Sequence, residues 1–438
     1  MSVAEVPTAA ELPPTTRPMV VPGTSLAGEY TESGFKEPSF LARRADGRVV
    51  QLSRLLYLIA EASDGHADCE AIARSVTSRF GRSISGANVA YLLQQKLMPI
   101  GVLTTEVKRT RARTARRVAS AAPLLGLKFR VALIPQWAVG AMTRGLGPLF
   151  YPPVMAAVLA GLAYFDYWLW GHGLNSAVVQ MITHPALMLV LLACVMASAV
   201  FHELGHATAC RVGGARPGAI GAGLYLVMPA LYSDVTDSYR LSRSGRVRTD
   251  LGGVYFNAIT VLLAAGAYCL SHFELLLLAA LLIQFEIVEQ FIPFVRLDGY
   301  WVISDLIGIP DLFGRIKPIL LSFVPRYRRD PRVTELRSRA RIVVTVWVVV
   351  TVPVLAFNLY LMVRNAPHIT RLTLHTASAE ATAIGTAAQA HQGLSMAAAA
   401  ISLVLVVLPL MAMSMTACWT LHRLGGVVYE RVATRTRS

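Results

Sequence analysis

Residues 202–206 read His-Glu-Leu-Gly-His. On a helix, positions four apart share a face, so His202 and His206 can aim two imidazoles at one ion. Two histidine nitrogens, a third protein ligand and a water make the open, catalytic form of a zinc site. Glu203, beside the first histidine, is placed to act as general base on that water. Gly205 lets a neighbouring element approach closely. The run just before, "PALMLVLLACVMASAV", is apolar enough for lipid. Ionisable groups at membrane depth are costly and usually functional. The pattern therefore predicts one zinc ion per chain, held at the end of a membrane helix.

A third ligand is needed, and "FVRLDGYW" at 294–301 offers Asp298. It follows a second apolar run, 274–296. The two motifs can meet only if both runs end on the same side of a membrane, so the elements around them decide the matter.

The chain has 438 residues, of which 54% are hydrophobic, and a net charge of +15. That composition predicts a mainly α, polytopic helical membrane protein. The arginines flank apolar segments, so the charge reads as a topology signal and not as a nucleic-acid footprint. Five scattered cysteines without a CxxC pair suggest neither a disulfide framework nor a thiolate zinc site. No basic segment followed by an apolar core opens the chain, so no cleaved signal peptide is expected.

Apolar spans are predicted at 151–170, 185–209, 251–271, 274–296, 342–363 and 395–417, each near the ~20 residues that cross a bilayer. The loops 233–250 and 298–341 and the C-terminal tail are rich in Arg, whereas 171–184 has no Lys or Arg and 364–394 has only Arg364 and Arg371. The positive-inside rule then gives six spans in the cell membrane with both termini cytoplasmic. In that arrangement the spans before His206 and Asp298 both run outside to inside, and the two motifs converge near the cytoplasmic face. Residues 131–148 read as an interfacial amphipathic helix. The Gly-rich stretch 217–232 reads as a re-entrant hairpin or sheet edge lining a cavity.

The expected domains are a disordered, Pro- and Thr-rich segment 1–37, a soluble domain 38–106, a basic linker 107–130, a membrane domain 131–425 and a basic tail 426–438. In 38–106, "SFLARRADGRVVQLS" predicts two short strands around an Asp-Gly turn. Three amphipathic helices follow, with Asp68 and Ser85 as N-caps. Two strands with three helices make a winged-helix pattern. Its helices carry few Lys or Arg for a phosphate-binding face, so nucleic acid is not expected as a partner.

His-Glu-Leu-Gly-His on one span, "GGVYFNAI" (252–259) on the next and Leu-Asp-Gly on a third resemble the site-2 protease family of intramembrane zinc metalloproteases. The stretches "SDVTDSYRLSRSGRVRTDLGG" and "IPFVRLDGYW" are similar to its bacterial branch of peptide zinc metalloproteases. The resemblance implies that His202, His206 and Asp298 hold zinc and that Glu203 is the base. It also implies that Asn257 lies near the substrate backbone. Relatives often carry Asn where this chain has Gln290, which leaves open what supports the third ligand. Residues 38–106 resemble PqqD-like peptide-recognition domains, whose edge strand pairs with a leader peptide; the other reading is a structural domain that docks on the membrane part.

Together these resemblances imply an endopeptidase that removes the leader of a ribosomally made, modified peptide at the membrane, beside an exporter or modifying enzymes of the same pathway. The rival readings are a non-catalytic peptide escort or immunity protein, a permease, and a regulated protease acting on a signalling protein. Glu286 and Glu289 read either as acids buried against neighbouring spans or as a negative lining of the peptide path, with Glu289 the candidate substrate contact. Asp234 and Asp237 read as turn formers. His172, His184, His272, His368, His375 and His391 fall in predicted outside loops or span ends and read as solvated.

Overall fold

The structure, a computed structural model, describes residues 13, 15–44, 49–105, 128–172, 187–225, 228–292, 295–327 and 330–435. Most of the linker read over 107–130, the Asp46-Gly47 turn and most of the loop 171–184 lie outside the described residues. The chain divides into two units, one of residues up to 122 with 239–243 and 307–345, the other of 123–238, 244–306 and 346–438.

In the first unit, strands β1 (Pro18–Val20), β2 (Ser25–Glu29), β3 (Ser39–Arg43) and β4 (Val49–Ser53) precede helices α1 (Arg54–Ala62), α2 (Cys69–Phe80) and α3 (Gly86–Leu92), and β5 (Leu103–Thr105) closes the set. Strands β3 and β4 form the expected antiparallel pair, from Ser39 opposite Ser53 to Arg43 opposite Val49. Each helix starts on a side chain that accepts an otherwise orphan backbone N–H. Ser53 takes Leu56 N, Asp68 takes Ala71 N and Ser85 takes Asn88 N. The inward faces supply Ile59, Ile72, Val76, Val89, Leu93 and Leu97, all almost fully buried, and Leu52 from β4 completes the core.

The reading of 1–37 as disordered needs correction. Strand β1 pairs with β5, and β2 pairs with β3, both antiparallel. A strand that finds its partner far along the chain leaves little local signal, and the Pro and Thr content of the first residues masked it. The boundary at residue 38 is also cut by a clamp. Gly34 N–H donates to Gly308 O at 2.9 Å, Lys36 N–H to Glu335 O at 2.8 Å and Arg337 N–H to Gly34 O at 2.8 Å. Phe35 and Leu336 form an antiparallel bridge, and the Arg337 side chain donates to Phe35 O at 2.8 Å. The Arg243 N–H donates to the Glu32 carboxylate at 3.0 Å. Residues 32–36 are thus stitched to 307–309 and 335–337 within one unit.

The second unit contains β6 (Lys128–Ile134), α4 (Gln136–Leu146), α5 (Pro152–His172), α6 (Leu187–Val212), β7 (Ile220–Tyr225) and β8 (Met228–Ser233), then most of α7 (Arg243–Ser271), α8 (Leu275–Gln290) and α9 (Asp298–Ile307). Two long helices, α10 (Ser338–Gln389) and α11 (Gly393–Arg435), end the chain. The Gly-rich stretch forms the β7–β8 hairpin, and β6 adds to it antiparallel, giving sheet order β6-β7-β8. The interfacial helix read over 131–148 therefore begins only at Gln136. Residues 131–134 are all apolar, with β-branched Val131 and Ile134, and go to the sheet instead.

Among the described residues five helices, α5, α6, α7, α10 and α11, are long and apolar enough to cross a membrane. Of the sixth expected span, 274–296, α8 forms 16 residues, about 24 Å at ~1.5 Å per residue. It stops ahead of Pro293, a residue that disfavours helix before it. The loop read over 364–394 is helical up to Gln389, because its Ala-rich sequence favours helix. Ser402 of α11 donates to Glu380 of α10 at 2.7 Å, tying the two long helices as a hairpin. Helix α11 also continues through the boundary read at residue 426.

Candidate active site

Helices α6 and α7 run antiparallel and meet through glycines. A Cβ on Gly205 would collide with the Gly252 carbonyl, and one on Gly252 would lie 2.5 Å from the Gly205 carbonyl. Only bare backbone permits that approach. The consequence is a ladder with rungs one helical turn apart. His206 Nδ1 lies 2.8 Å from the Thr249 carbonyl. Both His202 Nε2 and His206 Nε2 lie 2.5 Å from where a Gly253 Cβ would stand. One turn further, Ser198 Oγ donates to Asn257 Oδ1 at 3.4 Å. The Thr249 carbonyl can only accept, so His206 carries its proton on Nδ1 and presents a bare Nε2.

Asp298 enters from the first turn of α9. Its Oδ2 lies 3.2 Å from His202 Nε2 and 3.3 Å from His206 Nε2, and the two nitrogens are 3.1 Å apart. Ligand atoms around a tetrahedral zinc with ~2.0–2.1 Å bonds stand about 3.3 Å apart. The triangle therefore has the size of one face of that tetrahedron. Asp298 Oδ2 is buried and accepts no hydrogen bond, a cost of ~1–3 kcal/mol that a cation in the triangle would remove. The donor set suits zinc, and among the described residues it is the one cluster of three or more His, Cys, Asp or Glu side chains with this geometry.

The remaining candidates fall as follows. Glu203 is half-buried on α6, one residue from His202. Asn257 is buried one turn beyond the histidines. Gln290 supports the third ligand, since its Oε1 accepts the Asp298 N–H at 3.4 Å. Glu286 is half-buried and within electrostatic reach of His202, whereas Glu289 is exposed on α8 and is not brought into the cluster. Asp234 accepts from Thr236, the turn-forming place expected of it, whereas Asp237 accepts the N–H of Arg216, 21 positions away. Sequence reasoning missed Arg246, Asp250 and Asp305, which lie together under the site. The available signal was an Arg and an Asp four apart at the head of an apolar helix.

No family model matches the chain. No solved structure matches it either. Over 121 residues, 27% of this chain and 47% of the relative, it is 29% identical to a Bacillus subtilis (strain 168) protein named "Putative peptide zinc metalloprotease protein YydH". The match thus spans about half the length of that relative, and the similarity agrees with a His, His, Asp cluster fit for zinc.

Proposed function

We propose that the chain is a zinc-dependent endopeptidase of the site-2 protease type, acting on a peptide at the cytoplasmic face of the membrane. The observation that carries this reading is the triangle of His202 Nε2, His206 Nε2 and Asp298 Oδ2 beside a glutamate. Zinc held there supplies Lewis-acid polarisation of a carbonyl oxygen and lowers the pKa of a water. Glu203 takes the proton of the attacking water and passes it to the leaving amine. Thr249 and Gln290 hold the ligand groups in aim, and the Asn257 amide orients the substrate backbone. Glu289, exposed at the surface, contacts the substrate outside the cluster as it approaches.

The peptide is an extended precursor, and the β6-β7-β8 sheet offers edges for it to join as an added strand. The strands and three capped helices of residues 39–105 form a winged-helix, PqqD-like domain that captures its leader. The reaction is leader removal during maturation of a ribosomally made, modified peptide, with exporter or modifying enzymes as partners and both termini in the cytoplasm. The test is zinc content of the detergent-purified protein. Wild type holds about one zinc per chain, and His206→Ala and Asp298→Ala each lose it. Retention in Asp298→Ala would remove the third ligand from the scheme, and zinc-free wild type after metal loading would remove the scheme itself.

A further inference from the structure

Beneath the zinc-fit triangle lies a second group of charges that the proposed mechanism does not use. Arg246, on the second turn of α7, is completely buried. Its Nε donates to Asp305 Oδ1 of α9 at 3.1 Å. Asp250, one turn after Arg246, lies within electrostatic reach of Asp305. Its Oδ2 is buried without a hydrogen-bond partner. Charges are rarely buried so deeply, and a buried ion pair is weak as a source of stability. It is better suited to fixing one geometry over others.

The helical spacing says which geometry. Asp305 and Asp298 are seven apart on α9, so they share a face and lie about 10 Å apart along the axis. Arg246 and Asp250 flank Thr249, whose carbonyl receives His206 Nδ1 at 2.8 Å. One contact thus joins the helix that supplies the third ligand to the turn that orients the second. We propose that Arg246, Asp250 and Asp305 are positioning residues of the metal centre: a buried clamp that sets the rotation of α9 against α7 and so aims Asp298 at the two imidazoles. This rests on the zinc-site reading above and deepens it.

The clamp predicts a change in metal binding distinct from any change in folding. The full-length protein in detergent is titrated with zinc against a competing chelator, and the absorption of its cobalt form is recorded as a readout of coordination geometry. Asp305→Asn is expected to weaken zinc by about 10–100-fold, the usual effect of losing an outer support, and to alter the cobalt spectrum. Because Asp305→Asn leaves the Arg246 charge buried without its counter-ion, it can also fail to fold. Asp250→Asn, which keeps a polar group in the contact, then decides the matter, with the same direction expected. Folded variants with wild-type zinc affinity and an unchanged cobalt spectrum, even at a lower melting temperature, would make the triad structural only and overturn the proposal. Absence of zinc binding by wild type would instead overturn the site reading on which it stands.

Discussion

Gly253→Ala replaces one hydrogen by a methyl group, yet the structure assigns it a large effect. The new Cβ would stand 2.5 Å from both ring nitrogens that face the metal position, whereas ordinary contacts begin near 3.4 Å. Each nitrogen would have to retreat by about 0.9 Å, several times the ~0.2 Å tolerance of a metal–ligand distance. At least one imidazole therefore leaves the coordination shell. Losing an outer support costs 10–100-fold, so losing a ligand is expected to cost at least ~100-fold in zinc affinity, or about 2.8 kcal/mol. Helix propensity acts the other way, since Ala is favoured over Gly inside a helix by ~1 kcal/mol. The metal-free variant should accordingly fold, and lost zinc cannot be blamed on a broken helix. Gly266→Ala is the control, on the same helix with nothing within 4 Å of its Cβ, and should bind zinc as wild type does. The assay is chelator competition in detergent with melting temperatures alongside. Wild-type zinc affinity in Gly253→Ala would refute the packing of α7 against the two histidines, and with it the ladder that builds the site.

Three further outcomes are expected. Glu203→Gln should keep its zinc and lower hydrolysis of a fluorogenic peptide library by at least ~10²-fold; equal turnover would exclude Glu203 as the base. Asp68→Ala removes the acceptor of the Ala71 N–H at the start of α2 and should cost the first unit about 1 kcal/mol, read as an earlier local unfolding by hydrogen exchange in α2. Asp64 accepts N–H donors from Ala67 and His66, which hold its carboxyl below the usual range. A depressed pKa adds stability above the unfolded value and loses it as pH falls through the folded one. The deficit of Asp64→Ala should therefore be full at neutral pH and shrink in acid, and a deficit that grows in acid would contradict the assignment.

Some of this architecture is legible in the sequence because the signal is local. The i, i+4 histidines, the caps at Asp68 and Ser85 and the β3–β4 pair each need fewer than twenty residues to be recognised. Asp298 was reachable over a longer distance only because loop charges gave the two motifs the same side. What the sequence hid is non-local. Strand β6 pairs with β7 across roughly ninety residues, and β1 pairs with β5 across a similar gap. A short strand has no pattern of its own until its partner is known. The length of α10 is hidden because its Arg-poor second half reads as a loop between spans, although its alanines favour helix. The Arg246–Asp305 contact was hidden for another reason: an Arg near the end of an apolar run has the same appearance as a topology signal.

The stitching of residues 32–36 also has a consequence in time. Phe35 and the Arg337 that binds its carbonyl are 302 positions apart. At a synthesis rate of ~5–20 residues per second, the second partner leaves the ribosome about 15–60 s after the first. During that interval the early strands and three helices can settle, but the contacts of Gly34 O, Phe35 and Lys36 with residues 335–337 have yet to form. Four of the five helices able to cross a membrane begin before residue 338 or at it, so this short segment waits through most of membrane insertion. It closes only as the head of α10 is made, which makes it a late checkpoint in biogenesis. A ribosome that stalls before residue 337 leaves that segment open, and a protease added at that moment would find a cleavage site that the finished chain conceals.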